Sequence, residues 1–354
     1  MTTLTQRLGI DHPIIQAPMA GTSTAQLAAQ VSNAGGLGSI AIAAVDASTG
    51  QRMIAETRAL TSRPFNVNVF CHQPSPANAG VEQAWIKHLT PYFAEFGAAA
   101  PTALKDIYSS FCSNDEQLQV LLAERPAVVS FHLGLPPQSR IDALKAAGIT
   151  LFASATTLEE GLLVQEAGID VVVAQGIEAG GHRGVFNPEQ DQAIGTTALV
   201  RLLATHTRLP VVAAGGIMDG AGIASVMALG ASAAQLGTAF VLCPESAANA
   251  GYRSMLGSDR AQSTQVTTVI SGRPARGMVN RFMREVGAAG HPAVPGFGIG
   301  YDAGKQLIAA AAAAGNLEFA AYWAGQGAAL ARALPAAELF ALLVKEYQSV
   351  LKDG

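Results

Sequence analysis

The sequence predicts a (β/α)₈ barrel with an insertion after its third strand and a mostly helical C-terminal subdomain over the barrel mouth. Three observations predict it. Eight short apolar runs recur before residue 245, each followed by a turn and then a helix-like pattern; such alternation implies parallel strands joined by crossover helices. The chain is 49% hydrophobic and only 14% charged, which suits strands buried on both faces. Its 354 residues hold one barrel of about 250 residues and an additional unit. A doubly wound open sheet shares the alternation, but eight units closing before residue 245 favour the barrel.

The apolar runs fall at residues 13–19, 37–41, 65–70, 127–134, 150–155, 171–176, 210–216 and 233–240. Helix-like segments lie between them, as at 24–34, 158–167 and 222–229, and several end in glycine, a common helix stop. Two stretches break the repeat. Residues 74–123 form a long insertion bearing Trp85, Tyr92, Phe93, Phe96, Tyr108 and Phe111. Beyond Arg273 the chain is irregular and rich in Gly and Pro up to Gly300, then helical with an alanine run at 309–314. The expected organisation is therefore a barrel over 1–272, including the insertion, and a helical subdomain over 273–354. Both additions are expected at the C-terminal face of the barrel, where barrel enzymes build their sites.

Composition excludes several classes. Gly, Pro or charge breaks every apolar run well short of the roughly 20 residues that a membrane span needs. A formal charge of −4 and a pI near 6.0 offer no basic stripe for nucleic acid. Cys71, Cys112 and Cys243 are odd in number and far apart, so neither a disulfide framework nor metal spacing is expected. The first ten residues have no signal-peptide pattern, and a cytoplasmic protein is expected.

The chemistry is expected where strand ends converge. The first strand runs into Gln16-Ala17-Pro18-Met19-Ala20-Gly21, a turn with little side-chain bulk against which a flat ring can lie, although an ordinary tight turn has the same composition. In Phe65-Asn66-Val67-Asn68 the alternation puts both amides on one face. Buried there, each needs a ligand or backbone partner, and Asn68, nearer the mouth, is the better ligand candidate. Gly215, Gly216 and Gly237 follow the seventh and eighth strands. At that place barrels commonly bind phosphate through backbone N–H groups, so a phosphate-bearing cofactor is expected. The sixth strand leads into Gly180-Gly181-His182-Arg183-Gly184. A core histidine is usually a satisfied polar group, but His182 lies in a loop over the mouth and in no apolar stripe. His132 ends the fourth strand. Neither histidine belongs to a His-x-x-x-His or carboxylate cluster, so no metal site is expected.

These stretches resemble the class I nitronate monooxygenases, formerly called 2-nitropropane dioxygenases. The likeness rests on QAPMAG at 16–21, NAGGLGSIA at 33–41, RPFNVNVFCH at 63–72 and VVSFHLGLP at 128–136, and continues in AQGIEAGGHRGVF at 174–186 and VVAAGGIMDGAG at 211–222. GTAFVLCPES at 237–246, SGRPARG at 271–277 and WAGQGA at 323–328 complete it. The resemblance implies non-covalent FMN and oxidation of alkyl nitronates, such as propionate 3-nitronate, by dioxygen to carbonyl compounds and nitrite via a flavin semiquinone. It implies flavin contacts at Pro18, Met19, Ala20, Asn68, Gln175, Gly180, Gly215, Gly216, Gln235, Leu236, Gly237 and Thr238. His182 corresponds to the family's active-site histidine, while His132, Tyr108, Tyr301 and Lys305 look like other pocket residues. Tyr301 and Lys305 are spaced i, i+4, which puts them on one helix face. His182 is left as either a base or a hydrogen-bond donor, and Phe297 and Gly300 are left without a role. Two alternatives stay open. One is an FMN-dependent NAD(P)H reductase of enoyl thioesters or quinones; the other is a protein that stores or senses flavin.

Overall fold

The structure, a computed structural model, describes residues 2–353. Eight parallel strands form the central sheet: Ile14–Gln16, Gly38–Ala41, Phe65–Phe70, Val128–His132, Thr150–Ala155, Val171–Gln175, Val211–Ala214 and Ala233–Leu236. The first strand pairs in parallel with the last, and a parallel bridge from Ile15 to Leu37 joins it to the second, so the sheet closes on itself. Each apolar run expected to be a strand is one, and the fold is the expected barrel.

Period-two alternation divides each strand between two cores. Ile15, Leu37, Val128, Phe152, Val171, Val173, Val212 and Ala233 fill the barrel interior, and Leu4, Leu8 and Ile10 of the first helical turn and its exit join them as a stopper at one end. Ile14, Ile40, Val67, Val129, Leu151, Val172, Ala213 and Leu236 face outward, against the helices. Toward the C-terminal strand ends the inward positions become polar. Asn66 donates to Ser39 Oγ at 3.2 Å, Asn68 donates to the Ser130 carbonyl and hydroxyl, both at 3.0 Å, and Gln175 and Gln235 follow. An apolar floor beneath a polar rim is therefore written into the strands.

The insertion helix Ala79–Glu95 packs on Ile299–Ala313. Trp85, Leu89 and Phe93 share a separate apolar cluster with Phe282, Met283, Leu307 and Phe319, so two segments far apart in sequence make one covering unit. The end of the chain does something else. Helix Ala336–Asp353 packs against Ala25–Asn33 and Gly220–Ala228, two helices of the barrel's outer ring. Ala336, Leu339, Phe340 and Leu343 lie in the main core, and Glu346 accepts the Gly220 N–H at 3.0 Å. The residues after 273 thus divide between the mouth and the barrel wall, because the last helix fills the outer-ring position between the helices that follow the first and seventh strands.

A second sheet had no counterpart in the sequence reading. Thr264–Thr267, Ala275–Met278 and the two-residue strand Gly181–His182 pair antiparallel, with His182 opposite Ala275. Among the described residues, no helix is long and apolar enough to cross a membrane, and no group of three or more His, Cys, Asp or Glu side chains is placed to hold a metal ion.

Candidate active site

The polar rim opens into a cavity of about 480 Å³ at the C-terminal strand ends, within the range of roughly 300–1,000 Å³ usual for cofactor and small-ligand sites. One wall is backbone. Gly215 and Gly216 have φ of 128° and 71°, left-handed values that favour glycine, and they carry the chain past the cavity without side chains. Gly237 faces them, and Thr238 Oγ1 accepts the Gly325 N–H at 3.0 Å, which leaves its own proton free to donate.

The turn after the first strand forms a second wall. It is held from below by two buried polar residues that the sequence reading did not single out. Gln16 accepts the Ser39 N–H at 2.8 Å and donates to Ser23 Oγ at 2.9 Å. Ser23 Oγ in turn accepts the Met19 N–H at 2.9 Å. Pro18, Met19 and Ala20 are thereby fixed along the cavity edge.

Of the residues expected at the site, the structure gathers all but one around this cavity. The exception is Leu236, which is fully buried in the outer core. Gln235 and Gly237 face inward, so alternation turns Leu236 toward the helices; only its carbonyl is engaged near the site, accepting the Ala17 N–H at 2.8 Å. Gln175 lines the cavity, but its amide is occupied. It donates to the His182 carbonyl at 3.0 Å and accepts the Gly184 N–H at 2.6 Å, which ties the sixth-strand loop to the barrel.

The opposite side is aromatic and cationic. The Tyr108 ring stacks on Phe297, with centroids 5.3 Å apart, and the His182 ring meets Phe297 edge-on at 5.2 Å and Trp323 at 5.4 Å. Phe297 and Trp323 sit in the Gly- and Pro-rich stretch and in the segment after the alanine run, where no periodicity marked them. Lys305 Nζ lies 4.9 Å from the Tyr108 centroid and 5.2 Å from that of Tyr301. Cation–π contacts of this kind are worth about 0.5–2 kcal/mol, which offsets part of the cost of burying the ammonium. Burial lowers the Lys305 pKa, with Asp302 opposing. No Asp or Glu lines the cavity among the described residues.

Both histidines lie at this wall in their neutral forms. His182 is pushed down to about 3, chiefly by burial and further by His132, Arg273 and His72. His132 is pushed down to about 4 by burial, although its bond to the His182 carbonyl works the other way. His132 Nε2 donates to that carbonyl at 3.1 Å, and Nδ1 contacts Ser154 Oγ at 2.9 Å. Both of its nitrogens are occupied, so His132 supports the loop that carries His182. His182 Nε2 contacts Ser271 Oγ at 3.0 Å. Burial raises the phenol pKa of Tyr108 and of Tyr301, so both stay protonated.

Comparison with known proteins follows the same lines. The family model described as Nitronate monooxygenase matches residues 1–346. The chain is 60% identical over 343 residues to a nitronate monooxygenase of Pseudomonas aeruginosa, covering 97% of this chain and 98% of that one. It is 56% identical over 347 residues to one of Paraburkholderia phytofirmans, covering 98% and 95%. Among solved structures it is similar to a nitroalkane oxidase from Streptomyces ansochromogenes, with a TM-score of 0.88 at 40% identity over 97% of this chain and 98% of that one. It is also similar to FabK from Thermotoga maritima, with a TM-score of 0.75 at 29% identity over 100% and 98%.

Proposed function

The chain belongs to the nitronate monooxygenase family, and from that premise we propose that it uses non-covalent FMN to oxidise alkyl nitronates with dioxygen, forming carbonyl compounds and nitrite. The observation that carries the reading is electrostatic. Among the described residues the cavity is lined by one ammonium, Lys305, and by no carboxylate, so it favours an anion, and a nitronate is one.

The residues present fit FMN. Backbone N–H groups along the glycine wall at 215, 216 and 237, with the Thr238 hydroxyl, form a donor set suited to a phosphate. A Cβ on Gly216, at its left-handed φ, would be strained and would crowd Glu178 at 3.2 Å, so the close approach of that wall depends on glycine. Pro18, Met19, Ala20, Asn68, Gln175, Gly180 and Gln235 would border the ring. A flavin bound there supplies one- and two-electron transfer; the protein's part is to position, stabilise charge and exclude water.

In this reading Lys305 holds the nitronate oxygens, with its charge little screened by the surrounding aromatic rings. Tyr108, Phe297, Tyr301 and Trp323 shield the reacting carbon from bulk water. His182, neutral and unable to lend positive charge, takes the α-proton when the substrate arrives as a neutral nitroalkane. His132 keeps the His182 loop in place.

The test is direct. Protein purified from a heterologous host should be yellow, and acid should release FMN rather than FAD. It should consume oxygen and release nitrite with propionate 3-nitronate in the absence of nicotinamide. Rapid bleaching by NADH or NADPH with no response to nitronate would select the reductase instead. A yellow protein inert to both would select flavin storage, and a colourless one that takes up no added FMN would overturn the cofactor assignment.

A further inference from the structure

We propose that Ser271 is a positioning residue that fixes His182 as its Nε2–H tautomer, so that the lone pair on Nδ1 is what the ring presents to the cavity. The Ser271 hydroxyl has a single proton, and it donates to the Arg273 carbonyl at 3.1 Å, an atom that can only accept. Its contact with His182 Nε2 at 3.0 Å is therefore one in which Ser271 accepts and Nε2 donates. A neutral imidazole has one N–H, so Nδ1 is left bare, and among the described residues no protein group hydrogen-bonds to it. Turning the hydroxyl round to donate to Nε2 would forfeit the bond to Arg273, and Ser271 is fully buried, with no bulk water to replace it.

The rest of the loop is fixed to match. The His182 carbonyl accepts from both His132 Nε2 and Gln175 Nε2, and its backbone pairs with Ala275 in the three-stranded sheet. Main chain and ring are thus held independently, and Ser271 is the group that decides which nitrogen carries the proton. The consequence for chemistry rests on the function proposed above. A site whose histidine offers a bare Nδ1 accepts a proton from a neutral nitroalkane and does not donate one to a nitronate.

The test reads the ring itself. Nitrogen NMR of the purified holoprotein with ¹⁵N-labelled histidine, the His182 signals being assigned by their loss in His182→Asn, should show a pyridine-type Nδ1 and a pyrrole-type Nε2. Ser271→Ala should mix the tautomers, and Ser271→Thr, which keeps the hydroxyl, should restore the wild-type pattern. With neutral nitroalkane, kcat/KM of Ser271→Ala should fall about 10- to 100-fold, the range typical when the partner fixing a ligating histidine's tautomer is lost, while flavin content stays unchanged. A protonated Nδ1 in the wild type, or tautomers unaltered by Ser271→Ala, would overturn the proposal. If Ser271→Ala does not fold, the wild-type spectrum still decides, because a pyrrole-type Nδ1 alone refutes it. The spectrum does not depend on turnover, so an enzyme inert to nitronates would defeat the functional reading and leave this one to stand or fall separately.

Discussion

With its imidazole held down to about 3 by burial and by His132, Arg273 and His72, His182 enters the working pH range as a neutral group. Lys305 is the cation of this wall, set against the rings of Tyr108 and Tyr301, with burial lowering its pKa and Asp302 opposing. The two residues therefore serve different substrate forms. His182→Asn removes the base and leaves Lys305 and the glycine wall untouched. It is expected to lower kcat/KM for neutral nitroalkanes by about 10²–10⁴-fold, the usual scale for a lost general base, with only a small loss on nitronates and unchanged flavin content. Since His182 titrates far below neutrality, the wild-type rate with nitronate should show no limb from this residue between pH 5 and 9. Steady-state rates on both substrate forms across that range check all of this, and equal losses on both forms would remove His182 from the base role. At this scale the sequence was informative wherever function sits at a strand end. Asn68, His132 and Gln175 could be placed by counting from a strand. Phe297, Trp323 and Ser271 could not, since the first two reach the cavity, and Ser271 reaches His182 behind it, from irregular segments whose course is set by tertiary contacts.

At the scale of elements, the sixth-strand loop owes its shape to backbone packing that no side-chain pattern announces. Gly180 sits so close to Ala324 and Gly325 that a Cβ would lie 2.5 Å from the Gly325 nitrogen and 2.6 Å from the Ala324 carbonyl carbon. Those atoms are main chain and cannot swing aside. The sequence marked this loop by its glycines, but the reason for them lies some 140 residues away. The same holds for the three-stranded sheet, where a two-residue strand at 181–182 meets a partner at 275–276, too short and too distant for periodicity to register. Gly180→Ala is expected to push the 178–182 segment off the 323–325 segment, separating His182 from Trp323. Overpacking of this kind costs about 1–3 kcal/mol, so the protein should still fold, with a lowered Tm and weakened FMN retention. Thermal melts and flavin titration of the variant measure both. Wild-type stability together with wild-type flavin affinity would show that the loop has slack that the close contact does not suggest.

At the scale of the whole molecule, alternation of strand and helix made the barrel legible, because each of its units is local in sequence. The source of the last outer helix was not legible. The last outer helix comes from residues 336–353, nearly a hundred residues after the eighth strand ends at Leu236, and the intervening chain builds the mouth. We propose that the functional boundary lies before this helix, so that the terminal segment stabilises the barrel and takes no part in the pocket. Phe340 tests the point. It is 1% exposed, and its ring sits where a Cβ on Gly36 would lie 2.4 Å from it, so the helix and the second barrel unit are fitted to each other with no room to collapse. Phe340→Ala should cost about 3–5 kcal/mol, as expected for a buried aromatic cut back without compensating relaxation. Leu351→Ala on the same helix, 60% exposed, should stay within about 0.5 kcal/mol. Urea unfolding followed by far-UV circular dichroism gives both values, and steady-state kinetics on the folded Phe340→Ala protein gives the second half of the test. A KM for nitronate equal to that of the wild type places the helix in the barrel wall. A raised KM with little loss of stability would return it to the mouth.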